Sequence, residues 1–130
     1  KIINNFSDTR FFLNDFLNFD LLWNTGIGFG LLSLESSIYY NFLSILIGLV
    51  IVLLIFVGIK SNKFEKFFFS MIIGGALGNF YDRINYYAVP DFIDLHIKNL
   101  HWFTFNVADI FISLGIIFII FTETIFKRKK

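Results

Sequence analysis

The stretch IYYNFLSILIGLVIVLLIFVGI, residues Ile38–Ile59, contains no charged residue. A helix of this length spans a hydrocarbon core of about 30 Å. Because the stretch is apolar all round, it has no polar face to present to water, as a helix on the surface of a soluble domain would. It therefore predicts a transmembrane helix.

Two further uncharged runs follow, Phe67–Tyr81 and Ile110–Thr122. The chain has 130 residues, of which 56% are hydrophobic and 20 are Phe, and its mean hydropathy is +0.70. These values lie far from those of an ordinary soluble domain. We expect a mostly α-helical integral membrane protein, with residues 1–130 forming a single membrane-embedded domain crossed by three transmembrane helices.

The cationic residues define the expected orientation. Seven of the 11 Lys and Arg residues fall in two places, as Lys60, Lys63 and Lys66 after the first run and as the tail 127–130. Short basic loops stay in the cytoplasm, which predicts a cytoplasmic loop 60–66 and a cytoplasmic tail. The segments 1–37 and 82–104 then lie together on the outer side.

The beginning of the chain bears on the number of crossings. Lys1 opens an outer segment that carries no export signal of its own. We therefore expect a further transmembrane helix before Lys1, which gives four crossings with both termini in the cytoplasm.

The outer segments are not typical of helices. Residues 11–35 mix bulky apolar residues with Asn and Asp, and Gly26, Gly28 and Gly30 follow in close succession. This pattern favours turns or a bulged strand, and we expect a small sheet at the membrane surface. Pro90 fixes its own backbone and favours an extended Val89, so Asp91 should lie in a stiff, non-helical stretch.

Two groups of polar residues lie at the outer ends of the apolar runs. Asn79, Asp82 and Arg83 share one face of a helix, as do Asn106 and Asp109. Taken alone, the first group could be a structural ion pair and Asp109 a cap at a helix start. However, both groups and Asp91 are expected at the same membrane surface, and a purely structural membrane protein would not be expected to bring Asn, Arg and Asp together there.

Two carboxylates that meet at such a surface can share a proton. One can act as a general base on water while the other polarises a carbonyl, which is the chemistry of aspartic proteases. The alternative is a subunit of a proton-coupled carrier or channel, which would place its carboxylates at mid-membrane depth.

Other chemistries are weaker alternatives. The sequence has no Cys, which excludes disulfides and thiol catalysis. Asp91, Asp94 and His96 form a D-x-x-D-x-H string with His101 nearby, which could bind zinc or manganese. Two histidines in an outer loop are more often solvated, and we expect no metal, no cofactor and no nucleic-acid partner.

Four sequence elements resemble those of the bacterial lipoprotein signal peptidases, the type II signal peptidases. NTGIGFG from Asn24 resembles N-x-G-x-x-F-G, and GGALGNFYDR ending at Arg83 resembles G-G-A-x-G-N-x-x-D-R. VPDFI around Asp91 resembles V-V-D-F-I, and FNVAD ending at Asp109 resembles F-N-x-A-D. The four elements occur in the order of the family and span residues 24–109, so the match is specific.

The resemblance implies a role for each matched residue. The catalytic pair falls on Asp91 and Asp109. Substrate-site or supporting roles fall on the other matched polar residues and on glycines at close approaches: Asn24, Gly75, Gly78, Asn79, Asp82, Arg83 and Asn106. The implied enzyme is an aspartic endopeptidase in the bacterial inner membrane, surrounded by membrane lipids, with its active site near the periplasmic face. It cleaves prolipoproteins before the diacylglyceryl-modified cysteine. Because no segment resembles a dedicated pairing helix, we expect a monomer.

Two positions depart from the family pattern. The family has an Asp followed by a Lys near the outer end of its first helix, and here only Lys1 could match the Lys. Pro90 stands where the pattern has a second Val, so any substrate contact made by that backbone N–H is lost.

Overall fold

The structure is a computed structural model that describes residues 11–26, 37–97 and 100–126. In that part the chain forms two strands, two helices, two further strands and a third helix, in the order β1 (Phe11–Asn14), β2 (Leu17–Asn24), α1 (Ser37–Lys60), α2 (Lys63–Tyr86), β3 (Val89–Ile97), β4 (Leu100–Phe105) and α3 (Val107–Phe126). Lys1, Gly28, Gly30 and the basic tail 127–130 lie outside the described residues. The prediction of a mostly helical chain with a small sheet is confirmed.

The chain divides into two compact units. One unit comprises Lys1–Tyr40 and Asp82–Asn106, and the other comprises Asn41–Tyr81 and Val107–Lys130. The first unit is built around the sheet and the second around the helices, so α2 begins in the helical unit and ends in the sheet unit.

The sheet unit contains four antiparallel strands in the order β1-β2-β3-β4. The β1–β2 turn is closed by Asn14, whose side-chain oxygen accepts the backbone N–H groups of Phe16 and Leu17, each at 2.9 Å. The β2–β3 register pairs Asn24 with Val89 and Leu22 with Asp91, with an irregularity between Phe19 and Leu22. The end of β2 therefore lies beside the start of β3.

Helices α1 and α2 are joined by the short turn Ser61–Asn62. Asn62 caps α2, because its side-chain oxygen accepts the N–H groups of Phe64 at 3.0 Å and Glu65 at 2.9 Å. The Glu65 carboxylate in turn accepts the Asn62 N–H at 3.4 Å, which completes a capping box. The turn between the two long helices thus lies within the predicted basic loop 60–66.

In the helical unit, α2 and α3 pack closely where glycines occur. A Cβ on Gly115 would lie 2.5 Å from Ile72 Cγ1 and 2.9 Å from the carbonyl oxygen of Phe68. The rings of Phe68 and Phe118 stack nearby with a centroid separation of 5.0 Å. Away from the ends of the two helices, most of the exposed side chains are apolar, among them Leu77, Ile117 and Phe121, as expected of helices surrounded by lipid.

Two of the described helices are long and apolar enough to cross a membrane, Ile38–Lys60 and Val107–Ile125. Helix α2 also has the length but carries charged residues near both ends, including Lys63, Lys66 and Arg83. It continues to Tyr86, five positions beyond the uncharged run that ends at Tyr81. The third crossing therefore stays a prediction.

Candidate active site

Asp91 is the most deeply buried carboxylate of the described residues, with 1% of its surface exposed. It lies on β3 and is held by two side-chain amides. Asn24 donates an N–H to Asp91 Oδ2 at 2.9 Å, and Asn106 donates one to Oδ1 at 2.8 Å. One donor, Asn24, is the last residue of β2, and the other, Asn106, directly follows β4, so the donors come from the ends of the two strands that flank β3.

The orientation of the Asn24 amide is fixed on both sides. Its Oδ1 accepts the backbone N–H of Gly26 at 2.8 Å, in a turn of the Asx type. Its NH₂ group therefore faces Asp91, since the carboxylate can only accept when it is ionised. The resemblance placed Asn24 among the substrate-site residues, and the structure places it against the predicted catalytic carboxylate.

Arg83 contacts the turn that follows Asn24. Its guanidinium donates to the carbonyl oxygen of Thr25 at 3.4 Å and to that of Gly26. Arg83 is 3% exposed. Burial lowers the pKa of its guanidinium, whereas interactions with Tyr40 and Asp91 raise it. Arg83 thereby ties the end of α2 to the segment that positions Asn24.

Asp82, next to Arg83, has a less defined setting. It is half-buried, and burial raises the pKa of its carboxyl. Between these two described residues there is no ion pair or hydrogen bond, so the structural ion pair considered from the sequence is not formed. The supporting role that the resemblance implies for Asp82 stays a prediction.

Asp109 lies in the first turn of α3 and is 6% exposed. Asn79 of α2 donates its side-chain N–H to Asp109 Oδ1 at 2.8 Å. Gly75, one turn before Asn79, lets the two helices meet, because a Cβ there would lie 2.6 Å from the carbonyl oxygen of Ala108. At Gly78 a Cβ would meet only the Ala108 Cβ at 3.9 Å, which is an ordinary contact.

The two predicted catalytic residues thus have similar surroundings. Each is a buried aspartate that accepts hydrogen bonds from asparagine side chains, Asn24 and Asn106 for Asp91 and Asn79 for Asp109. Such donors hold a carboxylate in one orientation. The catalytic pairing of Asp91 with Asp109 stays a prediction.

The D-x-x-D-x-H string lies on a strand and not in a solvated loop. The expectation that its histidine is solvated was therefore wrong for His96. Asp94 and His96 lie on β3 and are 2% and 6% exposed, with His96 Nδ1 3.9 Å from Asp94 Oδ2. Asp91 and Asp94 are an odd number of positions apart, which in a regular strand places them on opposite faces. Over the described ranges, no three His, Cys, Asp or Glu residues are grouped as metal ligands. The side chain of His101 lies outside the described part.

Sequence reasoning missed one residue of this region, Tyr40. Its hydroxyl donates to the backbone carbonyl of Arg83 at 2.7 Å, and the Arg83 guanidinium carbon lies 5.4 Å from the centre of the Tyr40 ring. Tyr40 lies near the start of α1, and tyrosines at the ends of apolar helices are commonly interfacial anchors. The position of Tyr40 at the end of an apolar run could have indicated an anchoring role, but it does not indicate that Arg83 is its partner.

The chain is also similar to known proteins. The family model described as signal peptidase II matches residues 1–126. A lipoprotein signal peptidase of Pelagibacter ubique is 54% identical over 119 residues, covering 92% of this chain and 72% of that relative. A lipoprotein signal peptidase of Francisella tularensis subsp. novicida is 39% identical over 122 residues, covering 91% of this chain and 75% of the relative.

Solved structures are similar as well. One described as a bacterial membrane enzyme at 2.3 Å resolution has a TM-score of 0.74 and 31% identity, covering 94% of this chain and 76% of that chain. A second, at 1.9 Å resolution, has a TM-score of 0.70 and 32% identity, covering 88% and 74%. The fold is therefore that of a bacterial membrane enzyme. The chain belongs to the signal peptidase II family, and the resemblance read from its four sequence elements is confirmed.

Proposed function

We propose that this chain is an aspartic endopeptidase that removes the signal peptide from prolipoproteins by cleaving before the diacylglyceryl-modified cysteine. Membership of the signal peptidase II family supports the reaction. The observation that carries the aspartic mechanism is the pair of buried aspartates, Asp91 and Asp109, each held by asparagine amides. No cofactor is needed for this chemistry.

The mechanism uses one proton shared by Asp91 and Asp109. The ionised carboxylate accepts a proton from water, and the resulting hydroxide attacks the scissile carbonyl carbon. The protonated carboxyl donates a hydrogen bond to the carbonyl oxygen, which stabilises the negative charge that develops there. When the tetrahedral intermediate collapses, the C–N bond breaks and the nitrogen of the lipidated cysteine takes a proton from the dyad.

The asparagines contribute by orienting the carboxylates. Asn24 and Asn106 occupy both oxygens of Asp91, so rotation of this carboxylate would break at least one amide hydrogen bond. Arg83 holds the turn after Asn24 through two backbone carbonyls. A site held in this way needs little reorganisation in the transition state, which lowers the barrier.

In the proposed topology, Ile38–Ile59, Phe67–Tyr81 and Ile110–Thr122 cross the bacterial inner membrane. The 24 residues of α2 rise by about 36 Å, more than the thickness of the hydrocarbon core. The charged residues of α2 lie toward its two ends, where the headgroups are. Asp109 then lies at the outer end of α3, at the periplasmic surface and not at the mid-membrane depth that a proton carrier requires. The enzyme acts as a monomer among membrane lipids.

The test is cleavage of a diacylglyceryl lipopeptide that contains a lipobox, by the full-length protein in detergent, with mass spectrometry of the products. We expect a single cut directly before the lipidated cysteine. A matched peptide with an unmodified cysteine should be cut far more slowly. Folded protein that leaves the lipopeptide intact, or cuts it at another bond, would contradict the proposed function.

A further inference from the structure

Helices α2 and α3 form an open furrow of about 550 Å³ in the helical unit. We call it the α2–α3 furrow. Its walls are made of residues from three turns of α2 and from the start of α3, namely Phe67, Ser70, Met71, Gly74, Gly75, Val107, Ala108 and Phe111. None of these side chains is charged.

The one polar side chain of the furrow is already satisfied. The Ser70 hydroxyl lies 2.7 Å from the carbonyl oxygen of Lys66 and 2.9 Å from that of Phe67, so its single proton is used within the helix. At Gly74 a built Cβ would meet nothing within 4 Å. The furrow is therefore apolar and open at Gly74, which suits an apolar ligand.

The floor of the furrow is closed by the contact of α2 with α3. Gly75 brings α2 so near α3 that a Cβ would lie 2.6 Å from the backbone oxygen of Ala108 and 2.8 Å from Ile112 Cγ1. A helix with its side chains is about 10–12 Å wide and cannot pass between two helices in such contact. A thin, flexible and unbranched chain can lie along them.

The furrow begins beside Asp109. Val107 and Ala108 immediately precede Asp109 on α3, and Gly75 lies one turn from Asn79, which donates to Asp109. From Gly75 to Phe67 the furrow follows α2 for about 12 Å, away from the carboxylate and toward the helix start. A ligand group attached to the reacting part of a substrate can thus enter the furrow directly.

We propose that the α2–α3 furrow binds an acyl chain of the diacylglyceryl group on the substrate cysteine. This inference rests on the proposed function, in which the scissile bond directly precedes that cysteine and the lipid starts within a few bonds of the reacting carbonyl. Tethering gives the substrate's own chain a high effective concentration in the furrow, which favours it over ordinary membrane lipid. The gain comes from packing contacts, because lipid and furrow are both apolar.

The test blocks the furrow without disturbing the helices. In Gly74→Leu the new side chain points into open space, and leucine is a better helix former than glycine. The full-length variant is compared with wild type on lipopeptides whose acyl chains range from dibutanoyl to dipalmitoyl, at a constant detergent ratio. Leu114→Trp, at a 40% exposed position of α3 outside the furrow, adds bulk as a control.

For wild type and the control we expect kcat/KM to rise with acyl length. In Gly74→Leu, kcat/KM should stop rising at short acyl chains. On the dipalmitoyl substrate we expect kcat/KM to be about threefold to tenfold below that of wild type, through a higher KM, since only packing contacts are removed. Equal activity of Gly74→Leu and wild type at every length would overturn the proposal. So would a wild-type rate that does not depend on acyl length.

Two other occupants give different results, and each would also overturn the proposal. If the signal-peptide helix lies there, the effect of Gly74→Leu will follow the length of the apolar peptide segment and not the acyl length. If ordinary lipid lies there, the effect will follow the added lipid and be the same for all substrates. Absence of cleavage by wild-type protein would instead contradict the proposed function itself, which keeps the two failures distinct.

Discussion

At the scale of single residues, Asn24 connects a local turn to the candidate site. Its side-chain oxygen accepts the Gly26 N–H at 2.8 Å, and its amide nitrogen donates to the Asp91 carboxylate at 2.9 Å. The residue is 5% exposed, so water cannot readily replace either bond. Asparagine is suited to this position because it offers an acceptor and a donor at once.

Asn24→Asp should therefore impair catalysis while leaving the turn intact. An aspartate can still accept the Gly26 N–H, but it replaces the donor to Asp91 with a second carboxylate. We expect kcat to fall by about tenfold to a hundredfold in the lipopeptide assay. Asn14→Asp is the matched control, since exposed Asn14 also accepts two backbone N–H groups in a turn. Equal activity of the Asn24 and Asn14 variants would contradict this role.

Arg83→Lys tests whether geometry or charge matters at that position. The guanidinium reaches two successive carbonyls, Thr25 and Gly26, whereas an ammonium is a compact point charge that does not reproduce the planar fork. We expect kcat/KM to fall by about tenfold, because the turn beyond Asn24 loses its anchor. Unchanged cleavage would show that any cation suffices.

Much of the site could be predicted at this scale, but the pairings could not. The four sequence elements contain both aspartates of the candidate site and the asparagines that donate to them. Asn24 and Asp91, however, are 67 positions apart, and their contact depends on the β2–β3 register, which no local pattern specifies. The burial of His96 was missed for the same reason: its setting depends on a strand pairing that the sequence alone did not reveal.

At the scale of elements, hydropathy locates an apolar segment better than it locates a helix. The uncharged run ends at Tyr81, whereas α2 continues to Tyr86. Charged residues such as Asp82 and Arg83 end the apolar segment, but they are compatible with helical backbone. The helix ends where Tyr87 adopts a positive φ of 58° and donates its N–H to the Arg83 carbonyl at 3.0 Å.

The packing of α2 against α3 depends on which of two adjacent glycines is changed. Gly75→Ala places a methyl group 2.6 Å from the backbone oxygen of Ala108, whereas Gly74→Ala meets nothing within 4 Å. We expect Gly75→Ala to destabilise the protein by roughly 1–3 kcal/mol. Gly74→Ala should be neutral or stabilising by up to about 1 kcal/mol.

Thermal unfolding in detergent measures this difference. Gly74→Ala serves as the control for any general effect of adding a methyl group to α2. A Gly75→Ala protein that is as stable as the Gly74→Ala protein would show that α2 and α3 do not approach each other as closely as the structure has them.

At the scale of the whole molecule, the topology predicted from charge and length depends on a crossing by α2, which needs a direct test. By length and composition, Ile38–Lys60 and Val107–Ile125 are apolar enough to cross a membrane, whereas α2 is not among such helices. A crossing by α2 is nevertheless expected, because its charged residues lie toward its ends and its length exceeds the hydrocarbon thickness.

Single cysteines on either side of α2 test that crossing, and the sequence contains no cysteine that would interfere. We expect Tyr86→Cys to react with a membrane-impermeant maleimide in intact cells and Ser61→Cys to react only after the inner membrane is opened. Leu53→Cys, within the α1 span, is the unreactive control. Labelling of both flanking cysteines from the same side would contradict the crossing.

The fold class and the family were within reach of the sequence because they depend on features that are local in the chain. Long uncharged runs, clustered lysines and four short elements carry them. The joining of residues 11–24 and 89–105 in one four-stranded sheet was not predicted, because strand pairing depends on side chains far apart in the chain.

The most direct measurement is cleavage of the dipalmitoyl lipopeptide by three full-length variants, Asp91→Asn, Asp109→Asn and Asp94→Asn, each checked for folding by thermal unfolding. Asp94 is as deeply buried on β3 as Asp91, at 2% against 1% exposed, and is the matched control. We expect kcat to fall by at least about a thousandfold for Asp91→Asn and Asp109→Asn, because each removes a member of the acid–base pair. Asp94→Asn should keep most of the activity. Near-normal cleavage by a folded Asp91 or Asp109 variant would contradict the catalytic dyad.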